Sequence, residues 1–382
     1  MGSRGRDGRE APLTAFLIAG EESGDILGAE LMRALSQRLA GAVRFAGVGG
    51  RRMSEAGNGS IFPMEVNALH GLSAVIANLP SQIARIRSTA AAVVEADPDV
   101  LILVDSPAFN LRVARKVRRA SPAIAIVDYV SPTVWAYAPW RARWMAAFVD
   151  QVLAILPFEP AVHRRLGGPP CAFVGHPITE RLDRLRSAVG ERRPIGAGDP
   201  LTLLVLPGSR RSEIDRLLAC FGETVRLVAA RSGPLEVLLP AVPALADDIR
   251  RRVRDWPVQP QIVEGEDDKL SAFRRADAAL AAAGTVTLEL ALAGIPMVVG
   301  YRFDPLARLV MPLVKARSLV PNWSIVLPNL ILESSVVPEF LNGEVVPERL
   351  ASAIVPLLAE SPERAHQLDA FRRLDSLMSP GA

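Results

Sequence analysis

Gly284 and Thr285 stand between an apolar run, Ala278–Ala281, and an apolar-periodic stretch that carries Glu289 one turn in. A strand that passes into a helix at a glycine leaves the first helical amides without internal partners, at the positive end of the helix dipole. The missing side chain also lets a diphosphate approach the backbone. Gly284, Thr285 and Thr287 therefore mark a diphosphate site, and Glu289 is placed to accept from ribose hydroxyls. An ordinary strand-to-helix turn has the same sequence, so the assignment depends on the rest of the chain.

Other strand ends carry the same kind of chemistry. Gly208, Ser209 and Arg210 follow Leu201–Leu206, and a guanidinium there can neutralise a leaving diphosphate. Asp105 ends Val100–Val104 and is the candidate general base, although a lone Asp in that position also suits a turn or helix cap. Glu21, Ser23, Gly24 and Asp25 follow the opening strand, with Asp25 near a helix start. Ser131 and Trp135 lie in an aromatic and Arg-rich loop, where aromatic faces suit sugar rings and Arg suits phosphate; a packed loop fits equally. His176, in Val-Gly-His-Pro, suits a hinge as well as a ligand contact. Gly20, Gly24 and Gly28 lack the G-x-G-x-x-G spacing, as does Gly47-Val-Gly-Gly50, which argues against a nicotinamide or flavin fold.

The elements that must position these loops alternate. Short apolar runs at Ala15–Ala19, Val43–Val48, Val100–Val104, Ile124–Tyr129, Gln151–Ile155 and Ala172–Val174 are separated by helical spacing. A second series runs through Leu201–Leu206, Leu235–Leu239, Gln261–Val263, Ala278–Ala281 and Pro296–Val299. Alternation of this kind predicts α/β architecture: two doubly wound Rossmann-like domains facing across a cleft, with ligands at the carboxyl ends of the strands. The expected domains are 14–190 on the acceptor and membrane side, 200–348 on the nucleotide-sugar side, and C-terminal helices at 349–378 packing back on the first domain.

Length and composition agree with two globular domains: 382 residues, 49% hydrophobic and 22% charged. Cys171 and Cys220 have no metal-ligand spacing, so neither a disulfide framework nor a metal site is expected. No run approaches the roughly 18 apolar residues of a membrane span, and the N-terminus lacks a signal core, so the chain is expected in the cytoplasm. Net charge is +3, with scattered basic residues and no nucleic-acid motif, so nucleic acid is not expected as a partner.

Taken in order, the motifs are Ala-Gly-Glu-x-Ser-Gly-Asp, Gly-Val-Gly-Gly-x-x-Met, Tyr-Val-Ser-Pro-x-Val-Trp-Ala, Pro-Phe-Glu, Val-Gly-His-Pro, Leu-Pro-Gly-Ser-Arg, Gly-Thr-x-Thr-Leu-Glu, Pro-Met-Val-Val-x-Tyr-Arg, Leu-Pro-Asn and Val-Val-Pro-Glu-Phe. This ordered set, from Thr14 to Leu341, resembles the lipid-A-disaccharide synthases. The resemblance implies an inverting GT-B glycosyltransferase that joins UDP-2,3-diacylglucosamine to 2,3-diacylglucosamine 1-phosphate, releases UDP and forms a β-1,6-linked disaccharide. It implies Asp105 as base and Arg210 with the Gly284–Thr287 amides against the diphosphate. Glu289 would be on the ribose, and Glu21, Ser23, Gly24, Asp25, Ser131, Trp135, His176 and Asn329 on the acceptor or sugar side. No cofactor or metal is implied.

Acylated substrates call for an apolar docking surface. Leu69, Leu72, Val75, Ile76 and Leu79, together with Tyr301–Trp323 and its Arg302, Arg308, Lys315 and Arg317, are the candidates for contact with an anionic phospholipid surface at the inner face of the cytoplasmic membrane. Core helices would look similar, and a homodimer remains compatible with the sequence. Ala108, Ala283 and Ser334–Ser335 depart from the family pattern; the first leaves Asp105 intact and the second leaves the amides intact. Other readings share parts of the pattern: another UDP-sugar enzyme such as an epimerase, a catalytically silent membrane-surface protein, or a dinucleotide oxidoreductase.

Overall fold

Seven parallel strands form the first sheet of the computed structural model, which describes residues 12–61, 79–136, 138–188, 191–192, 194–195, 200–316 and 323–379. They are β1 (Leu13–Ala19), β2 (Val43–Val48), β3 (Gly59–Ser60), β4 (Val100–Val104), β5 (Ala125–Tyr129), β6 (Gln151–Ala154) and β7 (Cys171–Phe173), in the order β3-β2-β1-β4-β5-β6-β7. The second sheet holds β8 (Leu201–Leu206), β9 (Leu235–Ala241), β10 (Gln261–Glu264), β11 (Ala278–Ala281), β12 (Met297–Tyr301) and β13 (Glu339–Leu341), in the order β10-β9-β8-β11-β12-β13.

Both sheets are buried on both faces, which is why their strands read as unbroken apolar runs. In β4, Leu101 and Leu103 point into one core with Phe16 and Ile18, while Ile102 and Val104 point into the other with Ala15 and Leu17. Each of the larger side chains among them contributes about 1.5–3 kcal/mol by leaving water. The second sheet packs Leu203, Val205, Leu280 and Val298 against the helix Arg211–Ser232 through Leu217, Phe221 and Val225. The strand order reverses between β1 and β4 in the first sheet and between β8 and β11 in the second. Diverging connections leave a crevice at such a switch point, which is where open α/β sheets take ligands.

The chain divides into compact units Met1–Gly175 and His176–Ala382, so the boundary precedes the expected one and 176–188 belong with the second unit. The ties are specific: Ser187 Oγ donates to the Arg274 carbonyl at 2.7 Å and Arg186 Nε to the Leu292 carbonyl at 2.8 Å. The C-terminal helix Pro362–Met378 is also fixed to the second unit. Gln367 exchanges two hydrogen bonds with the backbone of Met297, and Arg364 donates to the carbonyls of Asp277 and Leu357. A buried amide and guanidinium that complete these backbone groups are costly to remove, so they anchor the helix where its sequence periodicity alone could not.

Candidate active site at two switch points

In the first unit, Asp105 and Ser106 leave β4 with φ of 53° and 48°, a left-handed pair that non-glycine residues adopt only under constraint. Asn110 supplies the constraint, its amide donating to the carbonyls of Ile18, Val104 and Asp105 at 3.2, 3.1 and 2.7 Å. The bend turns the half-buried Asp105 carboxylate toward the β1 loop, where Ser23 Oγ donates to its Oδ2 at 2.7 Å. Ser106 reaches Glu21 at 3.4 Å. A side chain at Gly20 would collide with Ser106 Oγ, and one at Gly24 would press on the Val104 carbonyl, so both glycines permit this close approach.

Behind this loop lies a group of buried polar residues. Glu159, only 2% exposed, accepts from Trp135 Nε1 at 3.3 Å and the Leu156 amide at 3.1 Å. Burial nevertheless raises its pKa to about 8. Asp128 is held well above the ordinary carboxylate range by burial and by the charges of Asp105 and Glu159. His163 is buried, shares a 2.9 Å hydrogen bond with Ser131, and is depressed by desolvation to about 4. Burial raises the Cys171 thiol to about 12, which keeps it out of nucleophilic chemistry.

In the second unit the switch point is built from glycines and ion pairs. Gly208 turns the chain at φ 111°, and the buried Glu213 accepts from the Ser209 and Arg210 amides at 3.1 and 3.3 Å. Glu213 also pairs with Arg210 at 3.2 Å, while the Arg210 side chain stays 73% exposed. Gly284 and Thr285 are exposed at the end of β11, with space around Gly284. Glu289 pairs with Lys269 at 2.7 Å. Lys269, on the helix Glu266–Arg275, is absent from the motif list, and only its position after β10 hinted at the site.

Several residues expected to meet a ligand also serve as internal braces. Both oxygens of Asp25 are occupied by the amides of Gly50, Arg52 and Met53, so it caps the helix Arg51–Glu55. Asn329 is buried and exchanges hydrogen bonds with the backbone of Val337. Thr287 donates to the Gly284 carbonyl at 2.9 Å, Ser131 faces His163, and Trp135 is buried against Glu159. His176 accepts from the Ile178 amide, and burial lowers it to about 4. In each case the sequence shows a polar group, but not the internal partner that it meets. Leu69, Leu72, Val75 and Ile76 and the side chain of Leu79 lie outside the described residues.

Each switch point by itself gathers reactive groups: a strand-end carboxylate with a hydroxyl partner in the first unit, and a glycine turn and paired cations in the second. Residues 15–380 match the family model described as lipid-A-disaccharide synthetase. The chain belongs to that family. It is 53% identical over 367 residues to the lipid-A-disaccharide synthase of Rhodopseudomonas palustris (strain HaA2), which covers 96% of this chain and 92% of that one. Among solved structures it is similar to Acinetobacter baumannii MurG, with a TM-score of 0.56 at 15% identity over 96% and 99% of the two chains. It is also similar to the S. aureus MnaA-UDP co-structure, with a TM-score of 0.61 at 12% identity over 95% and 94%. These likenesses establish a GT-B type fold, and the family makes the chain a glycosyltransferase of lipid A biosynthesis. Among the described residues no helix is long and apolar enough to cross a membrane.

Proposed function

We propose that this glycosyltransferase joins UDP-2,3-diacylglucosamine to 2,3-diacylglucosamine 1-phosphate, forming the β-1,6-linked disaccharide 1-phosphate and UDP. The observation that carries the reading is Asp105, held at the first switch point with one oxygen engaged by Ser23. Its other oxygen accepts the proton of the acceptor 6-hydroxyl as that oxygen bonds to the anomeric carbon and the bond to the diphosphate breaks. One displacement inverts the anomeric centre. In the second unit the exposed Arg210 and the amides beyond Gly284 offset the charge that develops on UDP. Glu289, oriented by Lys269, accepts from the ribose. The UDP held by the similar MnaA structure supports a nucleotide at this kind of fold.

The enzyme works at the inner face of the cytoplasmic membrane. Support comes from the helix Pro305–Ala316, which exposes Leu309 beside Arg308. Arg302 is not part of that surface, because its guanidinium is tied to the carbonyls of Arg216 and Val345. Flotation with anionic vesicles is expected to carry the protein, and protein left entirely in the soluble fraction would remove this part of the proposal.

The test of the reaction is an incubation with both glycolipids in which UDP release and disaccharide mass are followed together. Equal amounts of each are expected. UDP binding without disaccharide would point instead to another UDP-sugar enzyme. Arg210→Ala should weaken UDP binding and turnover together; unchanged affinity would show that Arg210 does not meet the diphosphate.

A further inference from the structure

A groove of about 440 Å³ lies in the first unit, between the helices Leu79–Ala96, Pro107–Ala120 and Trp140–Met145. It begins at Pro107 and Ala108, immediately after the Asp105–Ser106 bend, and continues along one face of the helix that follows. That face presents Arg112, Arg115, Lys116 and Arg119. The spacing i, i+3, i+4 and i+7 stacks like charges on neighbouring turns, which disfavours the helix unless an anion joins them. Among the described residues none of these cations pairs with a carboxylate, and no acid lines the groove. Arg118, on the same helix but outside the groove, does have its acid in Asp150.

The opposite wall is aromatic. Trp140 is 64% exposed, its ring 6.2 Å from that of Trp144, and Arg115 lies 5.8 Å over the Trp144 ring. Ile83, exposed, and Ile86, buried, complete an apolar side. Concave space, convergent cations and an apolar flank together fit one amphiphilic anion better than a flat lipid surface does.

We propose that this groove holds the acylated acceptor sugar by its phosphomonoester. Lys116, Arg119 and their neighbours take the phosphate, and the Trp140 and Ile83 side takes apolar chain. The inference rests on the reaction proposed above. In a hexose the 6-hydroxyl and the 1-phosphate lie at opposite ends of the molecule, so a hydroxyl at Asp105 requires phosphate ligands displaced along the next helix. Ala108 to Lys116 and Arg119 spans about 12 to 16 Å of helix axis, and long side chains that lean back toward the helix N-terminus shorten the distance to the phosphate.

The test is Lys116→Ala/Arg119→Ala, because neither side chain braces the fold. With detergent-dispersed substrates, the KM for the phosphorylated acceptor is expected to rise about 10-fold, while the KM for the UDP-sugar moves less than twofold. The wild-type preference for the phosphorylated acceptor over its 1-dephospho analogue should shrink by the same factor. Equal losses on both acceptors, or no loss on either, overturn the proposal. So does lost binding to phosphatidylglycerol vesicles with an unchanged acceptor KM, which would make the groove a membrane-lipid site. If the wild type forms no disaccharide, the proposed reaction fails and tryptophan fluorescence decides the groove by itself. A titration selective for the phosphorylated glycolipid, and lost in the variant, upholds it; no selectivity overturns it.

Discussion

The two switch points solve one geometric problem with opposite chemistry. In the first unit the turns after β4 and β5 use Asp105, Ser106 and Val130, all at positive φ, with Val130 at 78°. In the second unit the turn after β8 uses Gly208, and Gly284 follows β11. A strained turn that keeps its side chain directs a functional group, whereas a glycine turn exposes amides to a ligand. The acids differ in the same way. Among the described residues Asp128 and Glu159 lie buried with no ion pair in the first unit, while Glu213 and Glu289 are paired with Arg210 and Lys269 in the second. Under the proposed reaction the first unit handles the proton and the second the phosphate charge.

The comparison breaks most directly at Asp105. Asp105→Ala should lower turnover by about 10²-fold or more while UDP affinity holds, because the variant lacks the proposed base and keeps the proposed diphosphate groups. Near-normal turnover in a steady-state assay removes Asp105 from the base role. Gly208→Ala attacks the other side. The new methyl would adopt an unfavourable φ and run into Glu213, the residue that holds the Ser209 and Arg210 amides. A destabilisation of about 2–3 kcal/mol and a loss of UDP affinity are expected. Unaltered UDP binding by calorimetry would mean that this turn does not face the nucleotide.

The buried acids give a smaller effect confined to the first unit. Folded Glu159 titrates at about 8 against an ordinary value of 4.5, so its contribution to stability is full below 4.5 and is lost as pH rises through 8. Asp128 acts in the same sense. His163 acts oppositely, because its folded value of about 4 lies below 6.5; its contribution is full above 6.5 and is lost as pH falls through 4. The two oppose each other in mildly acidic solution, and above 6.5 only the acids remain. Stability of the first unit should therefore fall between pH 6.5 and 8 by on the order of 2 kcal/mol, and Glu159→Gln should flatten that fall. Hydrogen exchange reads it separately in β4–β6 and in β8–β11. An equal fall in the variant would show that Glu159 is not its source.

The sequence made most of this frame visible. Apolar runs bounded by polar loops placed β1, β4, β8 and β11 within a residue or two, and with them the loops that hold Asp105 and Gly208. The two-residue β3, Gly-Ser, and the three-residue β13, Glu-Phe-Leu, were missed because neither is an apolar run, whereas the equally short β7 runs on from Cys171 into Ala172–Val174. The family motifs carried Asp25 and Asn329 to the sugar side, and their internal partners, the amides of Gly50 and Val337, were not visible in the sequence. Lys269 was missed for the converse reason. It meets Glu289 across twenty residues of chain, and nothing local marks the pair.

Val130 supplies the finest test of the contrast. A β-branched residue at φ 78° carries strain of about 1–3 kcal/mol, and glycine, which adopts that backbone freely, costs about 0.5–1 kcal/mol more in the unfolded chain. Val130→Gly should thus stabilise the first unit by about 1 kcal/mol, as a shift in the denaturation midpoint. Activity should fall all the same, because a freed Val130 no longer holds the adjoining Ser131 against His163 or the Asp105 amide's acceptor, the Tyr129 carbonyl, in register. A variant both more stable and fully active would mean that the left-handed turns of the first unit are packing features alone, and that only Asp105 among them serves the reaction.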